Sequence, residues 1–164
     1  MHEPPSFRPL GLLAGAILPG LGHVVCGERK RGLFAGAGVL GLFFGGMFIG
    51  GIGVVDRQAE PIWFVGQALV GPVAFGVDAL HQNRYKVIDT SSRGLPIRRP
   101  AYPTEGRNPD TGFPVEGGTP PYVSSIGKVR EIGILYATLA GMMNLIVLLD
   151  AAIPGVRGKE KAAS

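Results

Sequence analysis

The chain of 164 residues contains one cysteine, Cys26, which excludes an internal disulfide framework and a cysteine-based structural zinc site. It is also poor in charge, with 17% Asp, Glu, Lys and Arg against about 25% in an ordinary soluble domain. No H-E-x-x-H and no P-loop occurs. Ser6, Ser91, Ser92, Ser124, Ser125 and Ser164 all fall outside the apolar stretches, so no nucleophile–base–orienter set forms and no catalytic residue is assigned. The collagen period is missing, and an apolar share of 46% is too high for a disordered chain. The formal charge of +4 raises the question of nucleic acid. The basic residues flank apolar blocks instead of interleaving with aromatics on one face, which points to a topogenic role and no nucleic-acid partner.

What the sequence has in excess is glycine, 27 residues, more than twice the usual share of about 7%. Its apolar residues gather in four blocks almost free of charge, so the solvent expected for most of the chain is lipid. The reading is an all-α integral membrane protein, a bundle of about four transmembrane helices with a long proline-rich loop. Block one, Pro9 to Cys26, sits near the lower limit of about 17–25 residues for a spanning helix and is interrupted by Pro19-Gly20. Block two, Gly32 to Val55, carries no charge and is the strongest span. Block three, Pro61 to Leu80, contains Gln67, Pro72 and Asp78, with Trp63 and Phe64 placed for an interfacial belt. Block four, Ile132 to Ile153, contains Asn144 and Asp150 and stops at Pro154-Gly155. The alternative is three spans plus a re-entrant first segment.

These blocks divide the chain into a three-helix region 1–81 that includes a hairpin 9–55, a basic loop 82–131, a last helix 132–153 and a tail 154–164. The loop holds Pro96, Pro100, Pro103, Pro109, Pro114, Pro120 and Pro121 without sustained periodicity, and is expected to be extended or loosely ordered. Helix is expected to re-form from Val123, with Ser124 or Ser125 as its N-cap. Counting cations by the positive-inside rule puts loops 27–31 and 82–131 together in the cytoplasm, both termini outside. The basic tail (Arg157, Lys159, Lys161) is discordant with that arrangement. A cleaved signal peptide is set aside because further spans follow block one. A lipoprotein Cys26 is set aside because Val25 precedes it.

Gly32/Gly36, Gly41/Gly45 and Gly46/Gly50 each make a G-x-x-x-G pair, and Gly133, Ala137 and Gly141 repeat the step in block four. Such spacing keeps small residues on one helix face where another backbone can approach closely. The partner is either another helix of the same chain or a second subunit. Gly36-x-Gly38-x-x-Gly41 has the letters of a dinucleotide fingerprint but lies mid-block with no strand before it, so no cofactor is expected.

The run Leu18-Pro19-Gly20-Leu21-Gly22-His23, then Gly27 and Arg29-Lys30-Arg31-Gly32-Leu33, resembles the hairpin module of two-transmembrane-helix (TM-two) domain proteins and related small bacterial membrane proteins. Val25 stands where relatives usually carry an aromatic residue. The run Leu139-Ala140-Gly141 with Asn144-Leu145 and Asp150-Ala151 is similar to an uncharacterised bacterial multi-pass family with the same opening. The resemblance implies a multi-pass protein of the bacterial cytoplasmic (inner) membrane and no particular activity.

Ionisable groups inside a span cost roughly 2.5–3.5 kcal/mol each on insertion scales, so each needs a reason. The positive-inside topology sets His23, Asp78 and His81 at similar depth, either as hydrated helix ends or as a converging proton-handling or metal site. It places Asp56 and Asp150 at the opposite face. Gln67 and Asn144 lie deeper and are expected to bond across helices. No metal site is assigned. The function expected is a non-enzymatic structural or accessory subunit, its partners the lipid bilayer and other membrane-protein subunits or further copies of itself. A small transporter or channel component is the alternative.

Overall fold

A computed structural model describes residues 7–123, 125 and 127–153. The fold is mostly helical, with two small strand pairs. Two helices dominate it, α3 (Arg29–Gly50) and α6 (Lys128–Ala152). Their mean hydropathy reaches 1.9 and 2.1, and both are long and apolar enough to cross a membrane. At a rise of about 1.5 Å per residue α3 measures about 33 Å. The pair is antiparallel: Arg31 meets Asp150 at one end, and Gly46 and Gly50 meet Gly133 at the other.

Blocks one and three do not form continuous helices. Block one splits into α1 (Pro9–Ile17) and α2 (Leu21–Val25), and block three into α4 (Pro61–Ala68) and α5 (Pro72–Leu80). Proline explains both breaks. Pro72 has no N–H to return to the Ala68 carbonyl and its ring crowds that oxygen, and Pro19 acts likewise on Gly15. The residue before a proline avoids helical backbone, and Leu18 is extended (φ −145°, ψ 130°). Gly20 (φ 81°) and Gly71 (φ 105°) then make the reversals, in a region that side chains rarely adopt. Pro9, Pro61 and Pro72 in turn open their own helices, where a missing N–H costs nothing.

Each broken block is therefore a hairpin that returns to the end it left. The α1–α2 hairpin begins with the Arg8 N–H donating to the Ala152 carbonyl (2.9 Å) and finishes with the Cys26 thiol beside the Ala151 carbonyl. The α4–α5 hairpin starts and ends at the opposite end of the α3/α6 pair. There Arg130 holds Glu60 and the Arg57 N–H reaches Asp78. The two tips meet inside, since a Cβ at Gly71 would lie 2.6 Å from the Ala16 carbonyl oxygen at the close of α1. The C-terminal carbonyls of α1 thus face the N-terminus of α5, opposite partial charges in contact. The core between the helices comprises Val39, Phe43, Val54, Val55, Phe64, Val70, Ala74, Ile134, Ala137 and Ala140.

Two sequence expectations change here. The halves, five to nine residues long, span only about 8–14 Å, so neither block crosses the length of α3. The bundle is two long helices with two opposed hairpins, and block three as well as block one turns back. Consequently loops 27–31 and 82–131 do not share a side: the first adjoins the C-terminus of α6, the second its N-terminus.

The proline-rich loop is also more structured than its composition suggests. After a π-helical turn, His81–Tyr85, β1 (Lys86–Thr90) pairs antiparallel with β2 (Pro96–Pro100). β3 (Glu105–Arg107) pairs with β4 (Pro114–Glu116). Arg99 joins the two hairpins by donating to Asp89 (2.6 Å) and, through both terminal nitrogens, to Glu105 (2.7 and 3.1 Å), with its guanidinium over the Tyr102 ring. Helix α6 starts at Lys128 with Gly127 as its N-cap. Ser125 does not cap it but donates to the Gly50 carbonyl (2.6 Å), and Ser124 lies outside the described residues, as does the 154–164 tail.

Candidate functional site

The glycine stripes sort by what they touch. Gly32 and Gly36 pack against Pro19, Gly20 and Val24 of the first hairpin. Gly46, Gly50 and Gly133 let α3 and α6 meet backbone to backbone, with Ala137 buried beside them, and Gly141 lies against the Gly66 carbonyl of α4. Among the described residues Gly41 and Gly45, although similarly spaced, meet nothing within 4 Å, and neither does Gly38.

Gln67 and Asn144 are fully buried. Each spends its amide on a carbonyl exposed by a break in the helices: Gln67 Nε2 donates to Val54 (3.1 Å) and Asn144 Nδ2 to Leu69 (2.8 Å). A buried carbonyl without a partner costs about 1–3 kcal/mol, so Asn144 holds the fold where Pro72 interrupts block three, and Gln67 holds the turn Ile52–Val54 that follows α3. Their own oxygens have no hydrogen-bond partner among the described residues.

His23, Asp78 and His81 are not brought together. His23 is buried at the Asp150 end, with Nε2 3.3 Å from Asp150 and Nδ1 3.7 Å from Glu28, while Arg31 bonds both carboxylates. Asp78 and His81 lie at the other end, where they join Asp56. The expected pairing fails because it assumed that block three crosses; as a hairpin it delivers Asp78 back to Asp56.

That second end carries the densest polar cluster. Asp56, Asp78, His81, Gln82 and Lys86 are each no more than 3% exposed. Lys86 Nζ bonds both oxygens of Asp56 (2.7 and 2.9 Å), and Gln82 and the N–H groups of Gln58 and Ala59 add three donors. Gln82 also reaches Asp78 (3.1 Å), which takes the backbone and side chain of Arg57. Burial pushes the Asp56 carboxyl upward, but the bond from Lys86, the Ala59 and Gln58 N–H groups and the Lys86 charge hold it below the ordinary value. His81 is also held below its ordinary value: burial disfavours its cation, and the Asp56 charge 3.7 Å away offsets that only in part. Its ring sits against Tyr122 (5.1 Å between centroids), and both nitrogens lack a hydrogen-bond partner among the described residues. Sequence reasoning missed Asp56, Gln82 and Lys86 as one group. The available signal was Gly71-Pro72 with only about nine residues on either side.

The Arg99 clamp gives a pH prediction. Its bonds hold Asp89 and Glu105 below the ordinary carboxylate range. Their contribution is therefore complete above about pH 4–4.5 and is lost as pH falls through the depressed folded values. Amide exchange across the β1–β2 ladder, corrected for intrinsic rate, should accelerate on that acid limb. Arg99→Gln should show the faster exchange already at neutral pH.

The fold thus defines a mostly helical protein with two helices of membrane-crossing length. Residues 10–163 match a family of unknown function (DUF6677), and the chain belongs to that family. No curated protein and no solved structure matches it.

Proposed function

We propose that this is a multi-pass protein of the bacterial cytoplasmic membrane, acting as a non-enzymatic structural or accessory subunit. In this reading α3 and α6 span the bilayer and the two hairpins enter it from opposite faces. Lipid as solvent is supported by the large apolar side chains α3 leaves uncovered, among them Phe48 at 95% and Phe34 at 76% exposure. The observation that carries the subunit role is the division of the α3 glycines. One set is used in internal packing, and the Gly38, Gly41, Gly45 strip is left open beside those aromatics. Inside lipid, close van der Waals packing is the main force between helices, so a smooth open strip is suited to a helix of another membrane protein or of a second copy.

Purification in mild detergent tests this. The chain should elute with a companion, or with itself, in fixed ratio. Gly41→Leu should abolish that association and leave the fold intact, because a Cβ added at Gly41 meets nothing within 4 Å among the described residues. Elution of the unaltered chain as a clean monomer would contradict the proposal.

A second reading, a small transporter, is favoured by one feature: interrupted hairpins that enter from opposite ends and meet tip to tip, an arrangement shared by secondary transporters. Solute or ion flux into liposomes that is lost on Gln67→Leu or Asn144→Leu would support it. Flux indifferent to both changes removes this pathway.

A further inference from the structure

We propose that a groove at the foot of α5 binds the phosphate of an anionic lipid headgroup. The groove, about 550 Å³, opens between the π-helical turn and the β3–β4 hairpin, with Leu80, Arg84, Tyr85, Arg107 and Thr119 among its walls. Its chemistry is lopsided. Arg107 gives one N–H each from Nε, Nη1 and Nη2 to the carbonyls of Lys86, Asn108 and Asn83 (3.0, 3.4 and 2.6 Å), which leaves two of its five donors, and it has no carboxylate within salt-bridge distance among the described residues. Its position is therefore fixed while its charge stays uncompensated. Arg84 is exposed and likewise has no carboxylate partner among the described residues. Elsewhere in this loop the contrast is plain, since Arg99 is neutralised by two carboxylates. Two guanidiniums with a hydroxyl and a phenol nearby form a donor set suited to phosphate oxygens.

The apolar side of the groove selects the source of the phosphate. Leu80 lies one helical turn before Arg84 and is 48% exposed, and Phe75 is exposed further along α5. On the membrane reading, on which this proposal rests, α5 descends into the bilayer from this point. A headgroup between Arg84 and Arg107 then has its acyl chains along an apolar helix face. A basic pocket beside membrane helices is a recurrent way of holding an anionic lipid.

Equilibrium binding of soluble dihexanoyl phosphatidylglycerol, dihexanoyl phosphatidylcholine and inorganic phosphate to the full chain tests the proposal. Phosphatidylglycerol should bind, with phosphatidylcholine at least about tenfold weaker because its cationic choline meets two guanidiniums, and phosphate weaker for want of the apolar contact. Arg84→Gln should reduce phosphatidylglycerol affinity about tenfold, and Arg84→Lys less; among the described residues the Arg84 side chain makes no bond whose loss would unfold the loop. Arg93→Gln, in the distant β1–β2 turn, should change nothing. Equal binding of the two lipids, or no effect of Arg84→Gln, overturns the site; phosphate binding as tightly as phosphatidylglycerol overturns a lipid source. A chain soluble without detergent would defeat the membrane reading, and the soluble ligands would still report on the groove separately.

Discussion

Replacing Gly141 by leucine should leave almost no folded protein. The Cβ alone would collide with the Gly66 carbonyl carbon and oxygen, and both belong to the backbone of a hairpin already fixed by Asn144 at Leu69. Overpacking a core typically costs about 1–3 kcal/mol when side chains can yield. Here the obstacle is a main chain in parallel contact with α6, so the cost should exceed that range and approach a total stability of about 5–15 kcal/mol. Gly141→Ala should be milder but still destabilising by more than about 1 kcal/mol. The measurement is the monodisperse fraction recovered in detergent and its thermal midpoint. Gly76→Leu is the control, because among the described residues an added side chain there meets nothing within 4 Å and Gly76 lies outside the open α3 strip. If Gly141→Leu and Gly76→Leu behave alike, α4 does not pack on α6 as described.

The second large effect is expected at Asp56. Asp56→Ala leaves the Lys86 ammonium buried at 2% exposure with, among the described residues, only the Gln58 side-chain oxygen, 3.5 Å away, as a polar partner. Breaking a buried pair in this way costs about 3–5 kcal/mol, whereas replacing both members by apolar side chains of similar size is often nearly neutral. Asp56→Leu combined with Lys86→Met should therefore recover most of what Asp56→Ala loses, with Gln82 and the Gln58 and Ala59 N–H groups accounting for the remainder. A double-mutant cycle read by chemical unfolding checks this. Additive losses would mean that the pair is not coupled. Because the folded Asp56 carboxyl lies below its ordinary value, its contribution is complete at neutral pH and disappears as pH falls through that depressed value.

How far the sequence could be read follows from what each signal measures. The charge-free run of α3 and the apolar run of α6 are read directly, because length and hydropathy are local properties. The hairpins were hidden for the same reason: a window over block three sums α4 and α5, and hydropathy does not record direction. The positive-inside count inherited that error, since it assigns sides only after crossings are assumed. Glycine spacing identified which positions share a face, but a face is not a contact. Gly46/Gly50 and Gly41/Gly45 are indistinguishable by pattern, and only the first pair meets α6. Prolines alone read the loop as extended or loosely ordered, yet Pro96 and Pro100 bracket β2, and Arg99 there bonds Asp89 on the paired strand and Glu105 in the second hairpin. Side-chain bonds of this kind leave no period in the sequence.

Labelling of single cysteines tests most directly the proposal that two opposed hairpins lie between two helices that cross the bilayer. In a Cys26→Ala background, Lys30→Cys, Ala59→Cys and Arg98→Cys each place a thiol at an exposed position. A membrane-impermeant maleimide applied to sealed vesicles should reach Ala59→Cys and Arg98→Cys from one side and Lys30→Cys from the other. A four-span bundle instead puts Lys30 with Arg98 and leaves Ala59 alone on the far side, and that pattern would contradict the account.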